Sequence, residues 1–149
     1  TCTVANHSLS ILADKKLLQR AVANLIDNAI KYTNAGGVID LICSYEDGNA
    51  VFKVCDTGNG VPPEDVDRVF ERFYRSDVSR ASEGTGLGLS FVKAAIEAMH
   101  GTIKMESILH EGSVFTVTFP VFNYNVDAEE QDILSSLVKN ISEDRIYSS

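Results

Sequence analysis

The chain has 149 residues, of which 44% are hydrophobic, and its formal net charge at neutral pH is −8. This length fits one globular domain with a short appended element, and no apolar run is long enough to span a membrane. The acidic balance argues against a general nucleic-acid-binding protein, which would present a basic face. The chain begins at Thr1 without a signal-peptide pattern, so we expect it to be a piece of a longer protein.

The three cysteines, Cys2, Cys43 and Cys55, are odd in number and form no C-x-x-C pair. This usage favours a reduced, intracellular setting. Cys43 and Cys55 lie within apolar, strand-like runs, where cysteine usually acts as a small packing residue. We therefore predict that these two thiols pack in the core and take no part in redox chemistry.

The first part of the chain predicts a weak strand followed by a long helix. Residues 1–4 alternate in the manner of a strand. Asp14 stands where a helix N-cap is expected, and residues 34–37, which include two glycines, end the helix. Apolar residues recur between them at three- and four-residue spacing, which predicts one buried face. The members of that face are Leu18, Ala21, Val22, Leu25, Ala29 and Tyr32.

A hairpin and a short helix are predicted next. Two apolar, β-branched runs, residues 38–45 and 50–56, are typical of strands, and residues 46–49 form the turn between them. A helical segment is expected over residues 63–74, with proline near its start. The polar stretch at residues 75–83 has no periodicity and predicts a mobile loop. The apolar side of the short helix would carry Val66, Val69, Phe70 and Phe73.

The remaining pattern completes the predicted fold. A glycine-rich run at residues 84–88 opens a helix that closes at Gly101, and a second hairpin joins strands at residues 102–107 and 114–119 through a turn at 110–113. Helices and antiparallel hairpins in this order predict an α+β fold, a two-layer α/β sandwich with helices on one face of a mixed, mostly antiparallel sheet. The apolar stripe of the second long helix comprises Leu89, Val92, Ile96 and Met99.

Beyond Pro120 the composition changes. Residues 127–130 resemble a capping box, and apolar residues recur in a narrow stripe from Ile133 to Ile141. We predict that residues 1–120 form the domain and that residues 121–149 form a tail containing an amphipathic helix. That helix packs either on the domain or on a partner.

Three polar residues follow one another along one side of the first long helix: Asn24, Asn28 and Lys31. One interpretation is an ordinary solvated face. The other is a ligand-facing row, because asparagine is a middling helix former and an unpaired amide beside apolar neighbours costs about 1–3 kcal/mol. The row by itself leaves both interpretations open.

Two glycine-rich stretches are further candidates for a binding site. Gly84, Gly86 and Gly88 lead into a helix, where free backbone N–H groups can meet phosphate oxygens. Their spacing and context fit neither a Walker loop, nor a dinucleotide fingerprint, nor a protein-kinase glycine loop. The second stretch, DTGNG at residues 56–60, follows an apolar strand, and its aspartate can accept a hydrogen bond from an exocyclic amine. Each stretch alone could also be a simple turn.

In their order along the chain, these motifs resemble the catalytic, ATP-binding domain of sensor histidine kinases, within the ATPase superfamily shared with gyrase and the mismatch-repair ATPases. The resemblance runs from about Asp14 to Pro120 and implies the Bergerat ATP-binding fold, with ATP and Mg²⁺ as cofactors. Its motifs are NLIDNAIKYT (24–33) as the N box, DTGNG (56–60) as the first glycine box, FERFYR (70–75) as the phenylalanine box and GTGLGLS (84–90) as the second glycine box.

The resemblance assigns roles by position. Asn28 would hold Mg²⁺ against the nucleotide phosphates, assisted by Asn24, and Lys31 would meet a phosphate. Asp56 would accept a hydrogen bond from the adenine amino group, and residues 75–83 would form a lid over ATP. The other residues that the resemblance places at the nucleotide are Tyr32, Gly58, Gly60, Val61, Phe73, Arg75, Gly84, Thr85, Gly86, Leu87, Gly88 and Leu89.

One position distinguishes the branches of this superfamily. In the ATP-hydrolysing branches, a glutamate one helical turn before the magnesium-binding asparagine activates water. Here that position is Asn24, and an amide has no useful basicity near neutral pH. The resemblance therefore implies transfer of phosphate to a histidine, whose imidazole is itself the nucleophile, and disfavours efficient hydrolysis.

None of the three histidines, His7, His100 and His110, has the sequence neighbours of a phosphoacceptor histidine. We therefore expect the acceptor to lie in a dimerisation domain upstream of Thr1 in the same protein, with a response regulator as the indirect partner and no nucleic acid. The expected location is cytoplasmic, alone or as the cytoplasmic part of a membrane-bound sensor. His100 stands where the family usually has a glycine, and we interpret it as a helix-end residue.

Two alternatives share the same fold. One is an anti-sigma-type protein serine kinase, which would phosphorylate a small partner protein at serine. The other is a non-catalytic nucleotide-binding module that has kept the fold and lost the chemistry. The intact Asn28, Asp56 and glycine boxes argue against the second alternative.

Overall fold

The computed structural model describes residues 2–4, 10–74 and 88–121, and for residues 2–4 only the backbone. The predicted lid, most of the second glycine box and the tail after Val121 lie outside the described residues. Among the helices of the described ranges, none combines the length and the apolarity needed to cross a membrane.

The first long helix, α1, spans Lys15–Tyr32. Its N-cap is Asp14, as predicted, whose carboxylate accepts a hydrogen bond of 2.8 Å from the Leu17 N–H. The predicted buried face is confirmed at its centre, where Ala21, Leu25 and Ala29 are fully buried. The helix ends at Tyr32, followed by an extended cap residue.

A five-stranded sheet forms the second layer, in the order β1-β2-β3-β5-β4. The short first strand pairs in parallel with β2, and every other pairing is antiparallel. The sheet is therefore mixed and mostly antiparallel, as predicted. The strands are β1 Cys2–Val4, β2 Ile39–Glu46, β3 Asn49–Asp56, β4 Thr102–Ile108 and β5 Gly112–Pro120.

Local sequence explains the turn between β2 and β3. Asp47 and Gly48 have φ angles of 50° and 81°, the left-handed values that a two-residue hairpin turn requires at both positions. An Asp-Gly pair adopts these angles at little cost. The turn sets a register in which Ile39 pairs with Asp56, so Asp56 lies at the end of the sheet opposite to the turn.

The core lies between the sheet and the two helices. Helix α2 spans Gly88–Ala98, and the apolar stripe predicted for it is confirmed, since Val92 and Ile96 are fully buried. They pack with alternate residues of β3 and β5, whose side chains point to the same face of the sheet. This arrangement confirms the two-layer sandwich. The sheet residues of the core include Val54, Phe115, Val117 and Phe119.

The end of α2 contains His100, at the position where the resemblance implies a glycine. His100 adopts a left-handed φ of 62°. Its N–H bonds the Glu97 carbonyl at 3.0 Å, and the Gly101 N–H bonds the Ile96 carbonyl at 2.9 Å. These two bonds form a Schellman motif, in which the left-handed residue is usually glycine. His100 is thus a helix-end residue, as predicted, in a conformation that costs it more than it would cost glycine.

The prediction of a short helix over residues 63–74 is wrong. Two separate 3₁₀ turns, Pro63–Asp65 and Arg68–Phe70, take its place. Phe73 has a φ of 63° and is 70% exposed, so it does not share the apolar side that the pattern predicted. The Phe70 ring instead meets Phe115 edge-on, with the ring centroids 6.2 Å apart. Tertiary packing, and not helical periodicity, therefore holds this segment.

Cys43 and Cys55, the two cysteines whose side chains are described, form no disulfide and are half-buried. Cys43 pairs with Phe52 on the face that the helices cover, whereas Cys55 points to the other face. Burial raises the pKa of the Cys55 thiol, which favours its protonated, unreactive form. The prediction of core packing is therefore wrong for Cys55, which lies on the face away from the core, and Cys43 is only half-buried.

Candidate functional site

The polar row of α1 lies on the side of the helix that approaches α2. Asn24 and Asn28 are half-buried, and Lys31 is exposed. The Asn24 amide nitrogen donates a hydrogen bond of 2.9 Å to the Arg20 carbonyl, which fixes the orientation of the amide. Its oxygen faces Gly88, where a Cβ atom would lie 3.4 Å away. The first residue of α2 and the row on α1 therefore border the same space.

A tight loop, residues 56–61, follows β3 and is attached to the last turn of α1. The Asp56 carboxylate accepts a hydrogen bond of 2.9 Å from the Gly58 N–H. Gly58 has no room for a side chain, because a Cβ atom there would overlap the Tyr32 carbonyl. The same carbonyl accepts a hydrogen bond of 3.2 Å from the Asn59 N–H. The end of the polar row and Asp56 are thus held next to each other.

The other side of this loop contacts the hairpin of β4 and β5. Gly60 has a φ of 59°, and a Cβ atom there would overlap the Ile108 carbonyl. The His110 N–H donates to the Asn59 carbonyl at 2.7 Å. Both glycines of the first glycine box therefore allow close approach to the protein's own backbone. This leaves the loop fixed between α1 and the hairpin.

Asp56 occupies an unusual electrostatic position. Its side chain is on the same face of β3 as Val54, which points into the core beneath the helices. Burial raises the pKa of the Asp56 carboxyl above its ordinary value, and hydrogen bonds from the backbone N–H groups of Gly58 and Ser113 lower it by less. The surroundings of Asp56 therefore disfavour its ionised form. Carboxyl groups with a pKa shifted in this way are typical of binding sites.

The other predicted site residues are distributed unevenly. Tyr32, Val61 and Leu89 are half-buried, and Leu89 also packs against the core. The Lys31 ammonium lies 5.3 Å from the centroid of the Tyr32 ring. Phe73 is exposed and is not brought to Asp56 by any described contact. Five predicted residues lie outside the described ranges: Arg75, Gly84, Thr85, Gly86 and Leu87.

Two serines near Asp56 were not predicted from the sequence. Ser107 in β4 accepts a hydrogen bond of 2.8 Å from the Val61 N–H. Its hydroxyl also lies 3.0 Å from that of Ser113, which is buried and pairs with Asp56 across the strands. A serine in a strand carries no sequence signal of such a role, because its contact with Val61 joins segments 46 residues apart.

Two helices thus cover one face of the sheet, with an amide row and a carboxylate near one end. The sequence family described as "Histidine kinase-, DNA gyrase B-, and HSP90-like ATPase" matches residues 13–123, and the chain belongs to that family. The resemblance found in the motifs is thereby confirmed, and with it an ATP-binding domain.

Relatives within this family are named sensor histidine kinases. The chain is 44% identical over 108 residues to the sensor histidine kinase RppB of Synechocystis sp., a match that covers 71% of this chain and 24% of that protein. The chain thus spans about a quarter of the length of such curated relatives.

Solved structures of histidine kinases share the fold. The mycobacterial sensor histidine kinase MprB has a TM-score of 0.71 and 31% identity, covering 80% of this chain and 79% of that one. Full-length ShkA in complex with AMPPNP has a TM-score of 0.70 and 36% identity, covering 80% of this chain and 25% of that one. These likenesses confirm the predicted α/β sandwich.

Proposed function

We propose that this domain binds Mg-ATP in the cleft between the polar row of α1 and Asp56, and that it donates the γ-phosphate to a histidine on a separate dimerisation domain in two-component signalling. The main support is the pair of contacts at the Tyr32 carbonyl, which join the last turn of α1 to the loop that carries Asp56. These contacts support a site in which Asp56 recognises the base and the oxygen and cationic groups of α1 meet the phosphates.

At the base end of this cleft, Asp56 accepts a hydrogen bond from the exocyclic amine of adenine. The carboxylate already accepts hydrogen bonds from the backbone N–H groups of Gly58 and Ser113. Its two oxygens together offer about four acceptor sites, so capacity remains for the ligand. Burial has already removed part of the water around this carboxylate, so a purine amine that binds it displaces less water. Gly58, Gly60 and Val61 keep the loop beneath the base, and Tyr32 borders it.

At the phosphate end, the donor set fits a magnesium ion. Mg²⁺ accepts one or two protein oxygen ligands and completes its shell with phosphates and water, and Asn28 offers a half-buried amide oxygen for this purpose. When bound, the ion neutralises charge that builds up on the transferred phosphoryl group. Lys31 meets a phosphate. The start of α2 at Gly88, with Leu89, receives the phosphates at the positive end of the helix dipole.

The residues outside the described ranges complete the proposed site. Gly84, Thr85, Gly86 and Leu87 cradle the phosphates. Arg75, together with Phe73 from the described part of the chain, belongs to the segment that covers the nucleotide. The domain itself would comprise residues 1–120, with residues 121–149 as an appended amphipathic tail. The partners proposed are ATP, the upstream phosphoacceptor domain and, indirectly, a response regulator, in a cytoplasmic location.

The identity of residue 24 supports transfer over hydrolysis. Asn24 lies one turn before Asn28, and its amide nitrogen is committed to the Arg20 carbonyl. An amide cannot take a proton from water at neutral pH, so the attacking group must bring its own nucleophilicity. The imidazole of a histidine does so, and the domain then needs only to position the nucleotide and neutralise its charge.

The proposal is tested by nucleotide titration followed by phosphotransfer. A fluorescent ATP analogue should bind the domain in a saturable, Mg²⁺-dependent way, and Asn28→Ala should abolish the Mg²⁺ dependence. The matched control is Asn49→Ala, since Asn49 lies at the opposite end of β3 and its side-chain amide bonds the local Asp47 carbonyl. With labelled ATP and an added phosphoacceptor domain, we expect acid-labile phosphohistidine. Stable phosphoserine on a partner would favour the serine kinase, and absence of nucleotide binding would refute the proposal.

A further inference from the structure

A hydroxyl in β4 connects the loop of residues 56–61 to the hairpin of β4 and β5. The Ser107 Oγ accepts the hydrogen bond of 2.8 Å from the Val61 N–H. It also lies 2.9 Å from the Gly112 carbonyl and 3.0 Å from the Ser113 Oγ. The loop, which is 46 residues away in sequence, and both strands of the hairpin thus meet at one side-chain oxygen.

The hydrogen-bonding capacity of a serine makes this junction specific. A hydroxyl has one hydrogen to donate and two lone pairs with which to accept. The Ser107 Oγ uses one lone pair for Val61, and its hydrogen goes to Gly112 or to Ser113. In either arrangement the loop is bound to β5 through this hydroxyl. Alanine would leave the Val61 N–H without this acceptor in a partly buried place, where loss of a partner is costly.

The residues joined by Ser107 are the ones that surround Asp56. Val61 ends the loop in which Gly58 donates to the Asp56 carboxylate. Ser113 faces Asp56 in the register between β3 and β5, and its backbone N–H also acts on the carboxylate. Movement of the loop relative to the hairpin would therefore shift the two groups that orient the carboxylate.

We propose that Ser107 is a positioning residue for nucleotide recognition, whose hydroxyl holds the loop of residues 56–61 against β5 so that the Asp56 carboxylate stays aligned with the exocyclic amine of the base. Ser107 acts through Asp56 and makes no contact with the nucleotide itself. The inference rests on the proposed function, because it assumes that Asp56 contacts the amine.

The test compares two nucleotides that differ only at the amine. Purine riboside triphosphate carries hydrogen where ATP carries the amino group, so it measures binding without the Asp56 contact. For Ser107→Ala, we expect ATP affinity to fall by about tenfold, the scale of one well-placed hydrogen bond to a charged group. Affinity for purine riboside triphosphate should change by less than about threefold, and Ser107→Thr, which keeps the hydroxyl, should restore ATP binding.

Controls separate this inference from the stability of the fold and from the proposed function. Ser44→Ala removes a hydroxyl from β2 near the opposite end of the sheet, where it bonds the nearby Glu46 carboxylate, and should leave both affinities unchanged. If Ser107→Ala does not fold, Ser107→Cys provides a weaker acceptor of similar size. If Ser107→Ala weakens the binding of both nucleotides equally, or of neither, the positioning role is overturned. Failure of the unchanged domain to prefer ATP would instead refute the role of Asp56.

Discussion

The substitution Asp56→Asn should separate nucleotide recognition from folding. Asparagine keeps the shape of the side chain and removes its charge. Because burial raises the pKa of Asp56, the folded domain disfavours the ionised form that the residue takes at neutral pH. An asparagine carries no such charge, so we expect the free energy of unfolding of the nucleotide-free domain to be equal to that of the unchanged domain or higher.

Nucleotide affinity, in contrast, should decrease in Asp56→Asn. The Gly58 N–H needs an oxygen at 2.9 Å, so it orients the amide of the variant with its oxygen toward the loop. The NH₂ group then faces the amine of adenine, and two donors oppose each other. Loss of a hydrogen bond to a charged acceptor is worth about 1.5–3 kcal/mol, which corresponds to an ATP affinity roughly 10- to 150-fold weaker.

Two assays on the same samples check this pair of effects. Calorimetric titration with Mg-ATP gives the affinity, and urea unfolding gives the stability. The matched control is Asp40→Asn, which makes the same chemical change on the opposite face of the sheet, across from Cys55. Unchanged ATP affinity in Asp56→Asn would refute its role in recognition. A loss of stability comparable to the loss of binding energy would refute the electrostatic account of the residue.

The remaining predictions concern stability, backbone fit and pH. Thr33→Val should raise the free energy of unfolding in urea by about 1 kcal/mol, because the Thr33 hydroxyl is the one buried side-chain polar atom of the described residues without a partner; a decrease would show that the hydroxyl is satisfied in solution. His100→Gly should stabilise the domain by about 1 kcal/mol in the same assay, since glycine adopts the φ of 62° without strain; no gain would mean that the imidazole makes compensating contacts. Gly58→Ala should weaken Mg-ATP binding at least tenfold in calorimetry, because its Cβ would push the loop away from the Tyr32 carbonyl; retained affinity would show that the loop can yield. The pKa of Asp56 is higher in the folded domain than in the unfolded chain. Between these two pKa values the folded domain therefore binds more protons than the unfolded chain. The stability that this group contributes is lost as the pH rises through that window. ATP affinity should instead fall as the pH is lowered through the folded pKa, and Asp56→Asn should remove this pH dependence; a dependence that persists in the variant would point to another group.

The parts of the fold that local chemistry determines could be predicted from the sequence. Asp14 caps α1 because an aspartate before a periodic apolar pattern bonds the free N–H groups of the first turn. The Asp-Gly pair fixed the β2–β3 turn through its backbone preferences, and the alternation in β5 indicated which face is covered. The amide row and the DTGNG stretch were found because several motifs occur in a known order.

The parts that tertiary contacts determine could not be predicted. The 3₁₀ turns before Phe73 resemble a helix in sequence, but the packing of Phe70 on a strand from much later in the chain fixes their geometry. The role of Ser107 has no local pattern, since its partners are in a loop and in a neighbouring strand. The resemblance places Gly58 and Gly60 at the nucleotide, and their nearest described neighbours are the backbone carbonyls of Tyr32 in α1 and Ile108 in β4.

The most direct test of the account is a structure of the domain determined with Mg²⁺ and a non-hydrolysable ATP analogue. The account predicts that the adenine amine lies within hydrogen-bond distance of an Asp56 carboxylate oxygen and that the Asn28 amide oxygen ligates the metal beside the phosphates. An empty cleft at saturating nucleotide, or a nucleotide bound with its base away from Asp56, would contradict it.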